Sequence, residues 1–256
     1  MAEPVVTMIR DLMRRKGRER RGLAVAEGIR LVEEALSARI PIRGAVAGPA
    51  LESTSRGQAL KARLIGAGVA LTVLPDRGLA DLAGTEHPQG IIAVVEPPAW
   101  TLDQLDLTRA SVVLVLDGIQ DPGNVGTMIR TAHGLGAAGI IALKGTADLN
   151  NPKVMRGAMG SSFRLPAIAA DDAELEAWLA AARVKLWATT MDGTPLKQWK
   201  ASGPVAIVVG NEGAGIRPAL LGRTAGSIGI PLRDGAESLN VAVAAGILLF
   251  EVIDGR

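Results

Sequence analysis

Three glycine-rich segments in the C-terminal part of the chain place the tightest constraint on its fold. Each contains or follows an apolar run of strand length and carries amide, carboxamide or carboxylate groups where that run ends. They are 116–132 (LDGIQDPGNVGTMIRTA), 208–216 (VVGNEGAGI) and 230–251 (IPLRDGAESLNVAVAAGILLFE). Open α/β sheets bind ligands outside the carboxyl ends of their parallel strands. The three segments therefore predict an α/β fold with a ligand site where several strands end.

The alternation of apolar runs and helical patterns extends this prediction along the chain. Strands are expected at 112–116, 139–143, 185–189, 205–209 and 227–230, with helices between them. That order is typical of a mostly parallel sheet covered on both faces. The earlier residues predict helices at 27–38 and 58–67 and short strands at 45–47, 70–74 and 91–95. Because Pro97 and Pro98 interrupt regular structure, we expect a smaller α/β domain at 1–97, a linker at 98–109 and a second domain at 110–256.

The composition argues against several classes of function. With no cysteine among 256 residues, the chain has no disulfide framework, thiolate nucleophile or zinc ribbon. The two histidines, His87 and His133, lack the spacing of metal ligands, so no metal is expected. No apolar run approaches the roughly 20 residues of a membrane span, and the N-terminal residues lack the order of a signal peptide. A cytoplasmic protein without membrane contact is the simplest interpretation.

The positive charge is concentrated near the N-terminus. Between Arg10 and Arg21 there are seven Lys and Arg residues against Asp11 and Glu19, although the net charge of the whole chain is only +2. Such a cluster suits contact with phosphate groups. Charge runs are also common on solvated helix faces, and the charge pattern alone leaves both interpretations open.

The first glycine-rich segment predicts a turn followed by a helix. Asn124 is a good N-cap for that helix, and Arg130 falls off its apolar stripe, one turn beyond Gly126, so it is expected to project toward the loop. Neither GxGxxG nor a phosphate-binding GK[ST] is present. The segment is either a ligand site or a capped helix with an exposed arginine.

The other two segments have similar alternatives. Asn211, Glu212 and Gly213 directly follow a buried strand, which indicates either close backbone approach to a ligand or an ordinary turn. Ser238 and Asn240 precede a helix, where either is a plausible N-cap or a hydrogen-bond partner for a polar substrate. No Ser/His/Asp arrangement is evident, and with 2% aromatic residues and no Tyr a base-stacking platform is not expected.

Together these residues resemble a known family. PGNVGTMIR (122–130), GNEG (210–213) and ESLNVAVAAGILLFE (237–251) resemble the three motifs of the SpoU family, which are S-adenosyl-L-methionine-dependent RNA 2′-O-ribose methyltransferases of the SPOUT class. FRLP (163–166), ATTMDG (188–193) and HPQGIIA (87–93) also lie where the family has similar stretches, and VAEGIRLVEEAL (25–36) is similar to a recognition domain related to kink-turn-binding ribosomal proteins. Asp234 stands where relatives often have Gly, and Ala158 where many have Ser.

The resemblance implies a fold and a set of site residues. The fold is a SPOUT-type parallel sheet with a C-terminal trefoil knot, preceded by a smaller α/β RNA-recognition domain, and the cofactor site is completed across a homodimer. True knots are rare exceptions to normal topology. The implied reaction-site residues are Asn124, Arg130, Glu212, Ser238 and Asn240. The implied cofactor-binding residues are Thr189, Gly210, Asn211, Gly213, Ile230, Leu232, Ser238 and Leu239.

The chemistry of such a reaction agrees with these residue types. A sulfonium methyl group is already activated, so the enzyme needs to align a ribose 2′-OH and manage its proton, with no metal. A guanidinium holds its proton to very high pH, so we interpret Arg130 as a phosphate anchor and stabiliser of the developing alkoxide rather than as a base.

The resemblance therefore implies an RNA 2′-O-ribose methyltransferase. It also implies ribosomal RNA as substrate, because family members with the additional N-terminal recognition domain mostly modify rRNA. The basic segment would add contacts to the RNA backbone through Arg14, Arg15, Lys16, Arg18, Arg20 and Arg21. A tRNA substrate or an antibiotic-resistance methylation of rRNA stays open. Outside this class, the alternatives are a non-catalytic RNA-binding or ribosome-assembly factor and, more remotely, a dinucleotide-dependent oxidoreductase.

Overall fold

The computed structural model describes residues 4–85, 88–108, 111–200, 202–233 and 237–254. His87, Arg109 and Asp234, which the sequence interpretation singled out or included, lie outside these residues. The chain forms two compact units, the first comprising Met1–Pro98 with Asn150–Arg164 and the second Ala99–Leu149 with Leu165–Arg256. The domain boundaries expected from the sequence stay a prediction, to which the structure adds that segment 150–164 packs with the first unit.

The first unit has a small mixed sheet. Its elements are α1 (Val5–Leu12), α2 (Arg15–Arg21), β1 (Ala24–Glu27), α3 (Ile29–Ser37), β2 (Ile42–Ala47), α4 (Ser55–Gly66), β3 (Leu71–Val73), α5 (Asp76–Ala80) and β4 (Ile91–Val95). The described strands are ordered β1-β4-β2-β3, with β4 antiparallel to both of its neighbours. Alternate residues of β4 enter two cores on opposite faces of the sheet, since Ala93 packs in one cluster and Ile92 in the other.

The second unit contains the parallel sheet. The remaining elements are β5 (Val112–Asp117), α6 (Pro122–Leu135), β6 (Gly139–Ala142), α7 (Pro152–Ala158, in the first unit), β7 (Ala167–Ala169), α8 (Asp172–Ala182), β8 (Lys185–Pro195), β9 (Val205–Gly210), α9 (Pro218–Leu221), β10 (Ser227–Gly229) and α10 (Val241–Asp254). The described strands are ordered β10-β8-β9-β5-β6-β7, and every pair is parallel. The predicted α/β class with a parallel sheet is confirmed.

Helices cover both faces of this sheet. Val113 and Val115 of β5 pack in one apolar cluster with Leu175 and Trp178 of α8. The residues between them point to the opposite face, where α6 and α10 pack against each other, α10 packs against β5 and α6 packs against β6. This arrangement places the carboxyl ends of β5, β8 and β9 side by side. None of the described helices is long and apolar enough to cross a membrane.

The main departures from the predicted elements have local causes. Strands β1 and β7 were not expected, because each has only three or four residues and most of their side chains are small, so neither forms a clear apolar run. Glu27, expected to begin a helix, ends β1 instead, because Gly28 adopts φ 98° and separates the strand from α3. Strand β8 continues to Pro195, well beyond the predicted end at 189, because its distal part pairs with β10.

Candidate active site

The first turn of α6 is capped differently from the prediction. Asp121, not Asn124, is the N-cap, and its carboxylate accepts a hydrogen bond from the Asn124 backbone N–H at 2.8 Å. Pro122 occupies the first helical position, which suits its fixed φ and missing N–H. The N-cap prediction for Asn124 was therefore wrong, and its carboxamide is available for contacts outside the helix.

That carboxamide joins three segments of the chain. Its Nδ2 donates to Glu212 Oε1 at 2.7 Å, and its Oδ1 accepts from Asn240 Nδ2 at 3.1 Å. Asn240 also caps α10, since its Oδ1 accepts from the backbone N–H of Ala242 at 2.9 Å. The structure thus brings together three of the five predicted reaction-site residues, here called the polar cluster (Asn124, Glu212 and Asn240).

The loop after β9 is closed by hydrogen bonds of Asn211. The Asn211 and Gly215 backbones exchange two hydrogen bonds of 3.1 and 2.9 Å, and Asn211 Oδ1 accepts from the backbone N–H of Gly213 at 3.0 Å. A Cβ added to Gly210 would lie 2.3 Å from the backbone of Gly215, so only glycine fits there. Gly210, Asn211 and Gly213 therefore shape the loop, and none of them lines the cavity beside it.

That cavity has a volume of about 420 Å³ and is mostly apolar. Predicted cofactor-binding residues contribute Thr189, Ile230, Leu232, Ser238 and Leu239 to its lining. Residues that the sequence interpretation missed contribute Thr190, Met191, Ala214, Gly215, Ile216, Leu221, Ile228, Ala244 and Leu248. Cavity and polar cluster share two segments, because Ser238 and Leu239 precede Asn240 and the loop of Glu212 continues into Ala214.

Two neighbouring threonines differ in how their hydroxyls are satisfied. Thr189 Oγ1 donates to the backbone carbonyl of Val208 at 2.9 Å, so it fastens β8 to β9. Thr190 Oγ1 is buried and makes no hydrogen bond within the described residues. Buried hydroxyls are nearly always paired, and this one belongs to a residue that lines the cavity.

Arg130 and Ser238 stand apart from the polar cluster. Arg130 is exposed on α6, about 9 Å along the helix axis from Asn124. Neither Arg130 nor Ser238 makes a hydrogen bond or ion pair with the other described residues. An exposed guanidinium without a partner remains available for a phosphate or for a second protein chain. The described residues also include no group of three acidic or histidine side chains arranged to hold a metal ion.

Three arginines of the basic segment pair with its two acidic residues. Arg15 pairs with Glu19 at 2.7 Å, and Arg20 and Arg21 both contact Asp11 Oδ2. Hydrogen bonds from Arg21 and Arg20 hold the pKa of Asp11 below its ordinary value.

Arg18 is the exception within α2, because it is only 5% exposed. Its guanidinium donates to the backbone carbonyls of Leu12 and Met13 at 2.8 and 3.1 Å, which ties α2 to the end of α1. This geometry does not favour the predicted RNA contact by Arg18. Arg14 and Lys16 are exposed and make no ion pair within the described residues.

A second cavity, of about 760 Å³, lies within the first unit around the start of α3. Arg30, Arg56 and Arg156 line it. Arg156 pairs with the buried Glu27 at 2.7 Å, and Arg56 with Glu33. Arg30 is exposed and makes no ion pair with any described residue.

An all-parallel sheet with a polar cluster and an apolar cavity at its carboxyl ends defines an α/β protein that binds a ligand at its strand ends. Residues 111–250 match the SpoU rRNA Methylase family, and residues 3–93 match the MRM3-like substrate binding domain. Because the first match covers more than half of the chain, the protein belongs to the SpoU rRNA Methylase family.

Individual relatives agree with this assignment. The chain is 36% identical over 244 residues to 23S rRNA (guanosine(2553)-2'-O)-methyltransferase RlmP of Bacillus subtilis (strain 168), which covers 95% of this chain and 93% of the relative. The solved structure of the SpoU methyltransferase AviRb from Streptomyces viridochromogenes, in complex with AdoMet, has a TM-score of 0.90 and 28% identity over 100% of this chain and 98% of that chain. The AdoMet-bound rRNA methyltransferase from Sinorhizobium meliloti has a TM-score of 0.86 and 31% identity over 99% and 95%.

Proposed function

We propose that this protein is an S-adenosyl-L-methionine-dependent RNA 2′-O-ribose methyltransferase that acts on ribosomal RNA. The observation that carries the proposal is the junction of the polar cluster with the apolar cavity, because a methyl donor and a ribose hydroxyl must meet at such a junction. The relatives named above support the assignment, since their names specify 23S rRNA, rRNA methyltransferase or bound AdoMet.

The cavity suits the proposed cofactor in polarity. Its apolar walls fit hydrocarbon and adenine surface, and Ser238 is a polar residue of its lining. Residues 214–216 and Ile228 line the same space. We include Thr189, Ile230, Leu232, Ser238 and Leu239 in the site as lining residues, and Gly210, Asn211 and Gly213 as residues that shape its wall.

The reaction needs little more than positioning and charge stabilisation. When bound, S-adenosyl-L-methionine supplies an activated methyl group. The polar cluster orients the ribose, since Glu212 offers a carboxylate acceptor and Asn124 and Asn240 offer carboxamide groups. Ser238, at the cavity lining, gives a further hydroxyl near the junction. The free guanidinium of Arg130 anchors the RNA phosphate and stabilises the developing 2′-alkoxide.

Helix α10 supports the proposed homodimer. Val243, Ile247 and Phe250 are 52%, 40% and 59% exposed, and their spacing puts them on one face of the helix. Exposed apolar stripes of this kind are typical of protein interfaces. A two-fold pair of copies would bury the stripe. Because α10 packs on α6, the same interface would bring Arg130 close to the partner.

The trefoil knot and the cytoplasmic location are also part of this proposal. The path of the chain supports the knot: β10 joins the sheet at its outer side beside β8, yet α10 returns to pack on α6 and β5. In the first unit, RNA backbone contacts are assigned to Arg14, Arg15, Lys16, Arg20 and Arg21, and Arg18 is omitted because it is buried. Arg30 at the first-unit cavity is added to them.

The test is transfer of radiolabelled methyl from S-adenosyl-L-methionine into separate rRNA and tRNA fractions. We expect label in rRNA, resistant to alkali at the modified linkage. Label in tRNA alone would replace the substrate assignment. Binding of RNA without any methyl transfer would favour a non-catalytic ribosome-assembly factor.

A further inference from the structure

Asp117 is a buried acidic residue to which the proposed reaction assigns no role. It is the last residue of β5, and its side chain is 0% exposed. Burying a carboxylate is costly unless charged or polar partners satisfy it. Its position is notable because Gly118, the next residue, begins the first of the three site-forming loops.

Arg217 satisfies this carboxylate twice. The Arg217 backbone N–H donates to Asp117 Oδ2 at 2.8 Å, and its Nε donates to Asp117 Oδ1 at 2.6 Å. The two terminal nitrogens of the same guanidinium donate to the Asp172 carboxylate at 3.0 and 2.7 Å. Hydrogen bonding from Arg217 keeps the pKa of Asp172 below its ordinary value, and Asp172 in turn raises the pKa of Arg217.

Arg217 directly follows the loop that shapes the active site. At its other end, the loop is held by Asn211, whose Nδ2 donates to the Gly118 carbonyl at 2.9 Å. The two ends of segment 211–217 are therefore fastened to adjacent residues at the end of β5, Asn211 to Gly118 and Arg217 to Asp117. Between these points lie Glu212, which belongs to the polar cluster, and 214–216, which line the cavity.

We infer that Asp117 and Arg217 are positioning residues that hold the 211–217 loop in the geometry required for cofactor binding. The inference rests on the proposed function, because it concerns the same site. A carboxylate accepts both Arg217 donors, whereas the amide of an Asp117→Asn variant has one acceptor oxygen and turns a donor toward the second N–H. One end of the loop would lose a charge-assisted hydrogen bond while the fold keeps its shape.

The experiment measures the affinity for S-adenosyl-L-methionine by calorimetry, which does not depend on catalysis, together with KM and kcat for methyl transfer. For Asp117→Asn we expect the Kd and the cofactor KM to rise about tenfold, while the affinity for RNA stays unchanged. Glu176→Gln is the matched control. It removes a carboxylate from the ion pair of Glu176 with Arg223 in the same unit, where both side chains are exposed, and its cofactor affinity should equal that of the unaltered protein.

Arg217→Lys provides a second variant in case Asp117→Asn does not fold. Lysine keeps the charge but loses the planar fork that reaches both carboxylates, so the same rise in Kd is expected. If either folded variant binds the cofactor as the unaltered protein does, even with a lower melting temperature, the residues are only structural and the inference is wrong. If the unaltered protein does not bind S-adenosyl-L-methionine, it is the proposed function that fails.

Discussion

The polar cluster in the second unit and the basic segment in the first unit differ in where their partners come from. Asn124 bonds to residues 88 and 116 positions away. In the basic segment, acidic groups and carbonyls within ten positions are the partners of Arg15, Arg18, Arg20 and Arg21. Charges that find partners locally stabilise their own helices, whereas polar groups brought together from distant loops are available to shape a site. Sequence density of charge therefore does not by itself show which cations are free to bind a ligand.

The largest expected effect concerns Arg130, an exposed cation on α6 that is unpaired among the described residues. Arg130→Ala should lower kcat by about 100-fold or more, because it removes stabilisation of the developing alkoxide. Methyl transfer and cofactor binding by the same preparation provide the measurement, and the Kd for S-adenosyl-L-methionine should stay within about twofold. Near-normal turnover by Arg130→Lys would contradict a role specific to the guanidinium.

A smaller effect is expected for the polar cluster itself. Glu212→Gln keeps the shape of the side chain but removes the carboxylate that accepts from Asn124. We expect kcat to fall about tenfold, since one orienting group of several is weakened. Single-turnover kinetics measures the change, with Glu176→Gln as the matched control. Unchanged chemistry in Glu212→Gln would place the cluster outside the reaction site.

The basic segment allows a comparison of exposed cations that have no ion pair with an arginine that is buried. Reversing the charge of Arg14 and Lys16 together should weaken RNA binding and reduce the slope of log affinity against log salt by about 2. Arg18→Ala should leave that slope unchanged and lower the free energy of unfolding by about 1–3 kcal/mol, because it leaves two carbonyls without their donor. Filter binding at several salt concentrations and urea unfolding distinguish the two. If the variant with Arg14 and Lys16 reversed has the same salt slope as the unaltered protein, α2 is not part of the RNA interface.

The smallest expected effect is on acid stability. The pKa of Asp172 is lowered in the folded state by Arg217, so its contribution is present above the unfolded pKa of about 3.9 and is lost as the pH falls through the lower folded value. Because 37% of the Asp172 side chain is exposed, the contribution is only about 0.5 kcal/mol. Unfolding midpoints between pH 6 and 2 should fall less steeply for Asp172→Asn, and parallel curves would contradict the linkage.

Local patterns predicted the framework of the second unit well. The buried strand 112–116 and the strand 205–209 were expected within one residue of their observed ends, because both are continuous apolar runs buried on two faces. The helix after the first loop was also expected, but its cap was assigned to Asn124. Asp121 is also a good N-cap residue, and it takes that position because Pro122 occupies the first turn of the helix. Asn240 was named as a possible cap for α10, and its hydrogen bonds confirm that role.

What the sequence alone determined was the α/β class, most strands and helices, the three site-forming segments and their family resemblance. These follow from periodicity, glycine and proline, which act over a few residues. Only the tertiary structure decided that Asp117 bonds to Arg217, one hundred residues away, and that Arg18 is buried. It also decided that Thr189 bonds to β9 while Thr190 stays unpaired. Segment 150–164 likewise joins the first unit only in the tertiary structure. Those pairings depend on strand order and on which face each helix covers, and local hydrophobic patterns leave both undetermined.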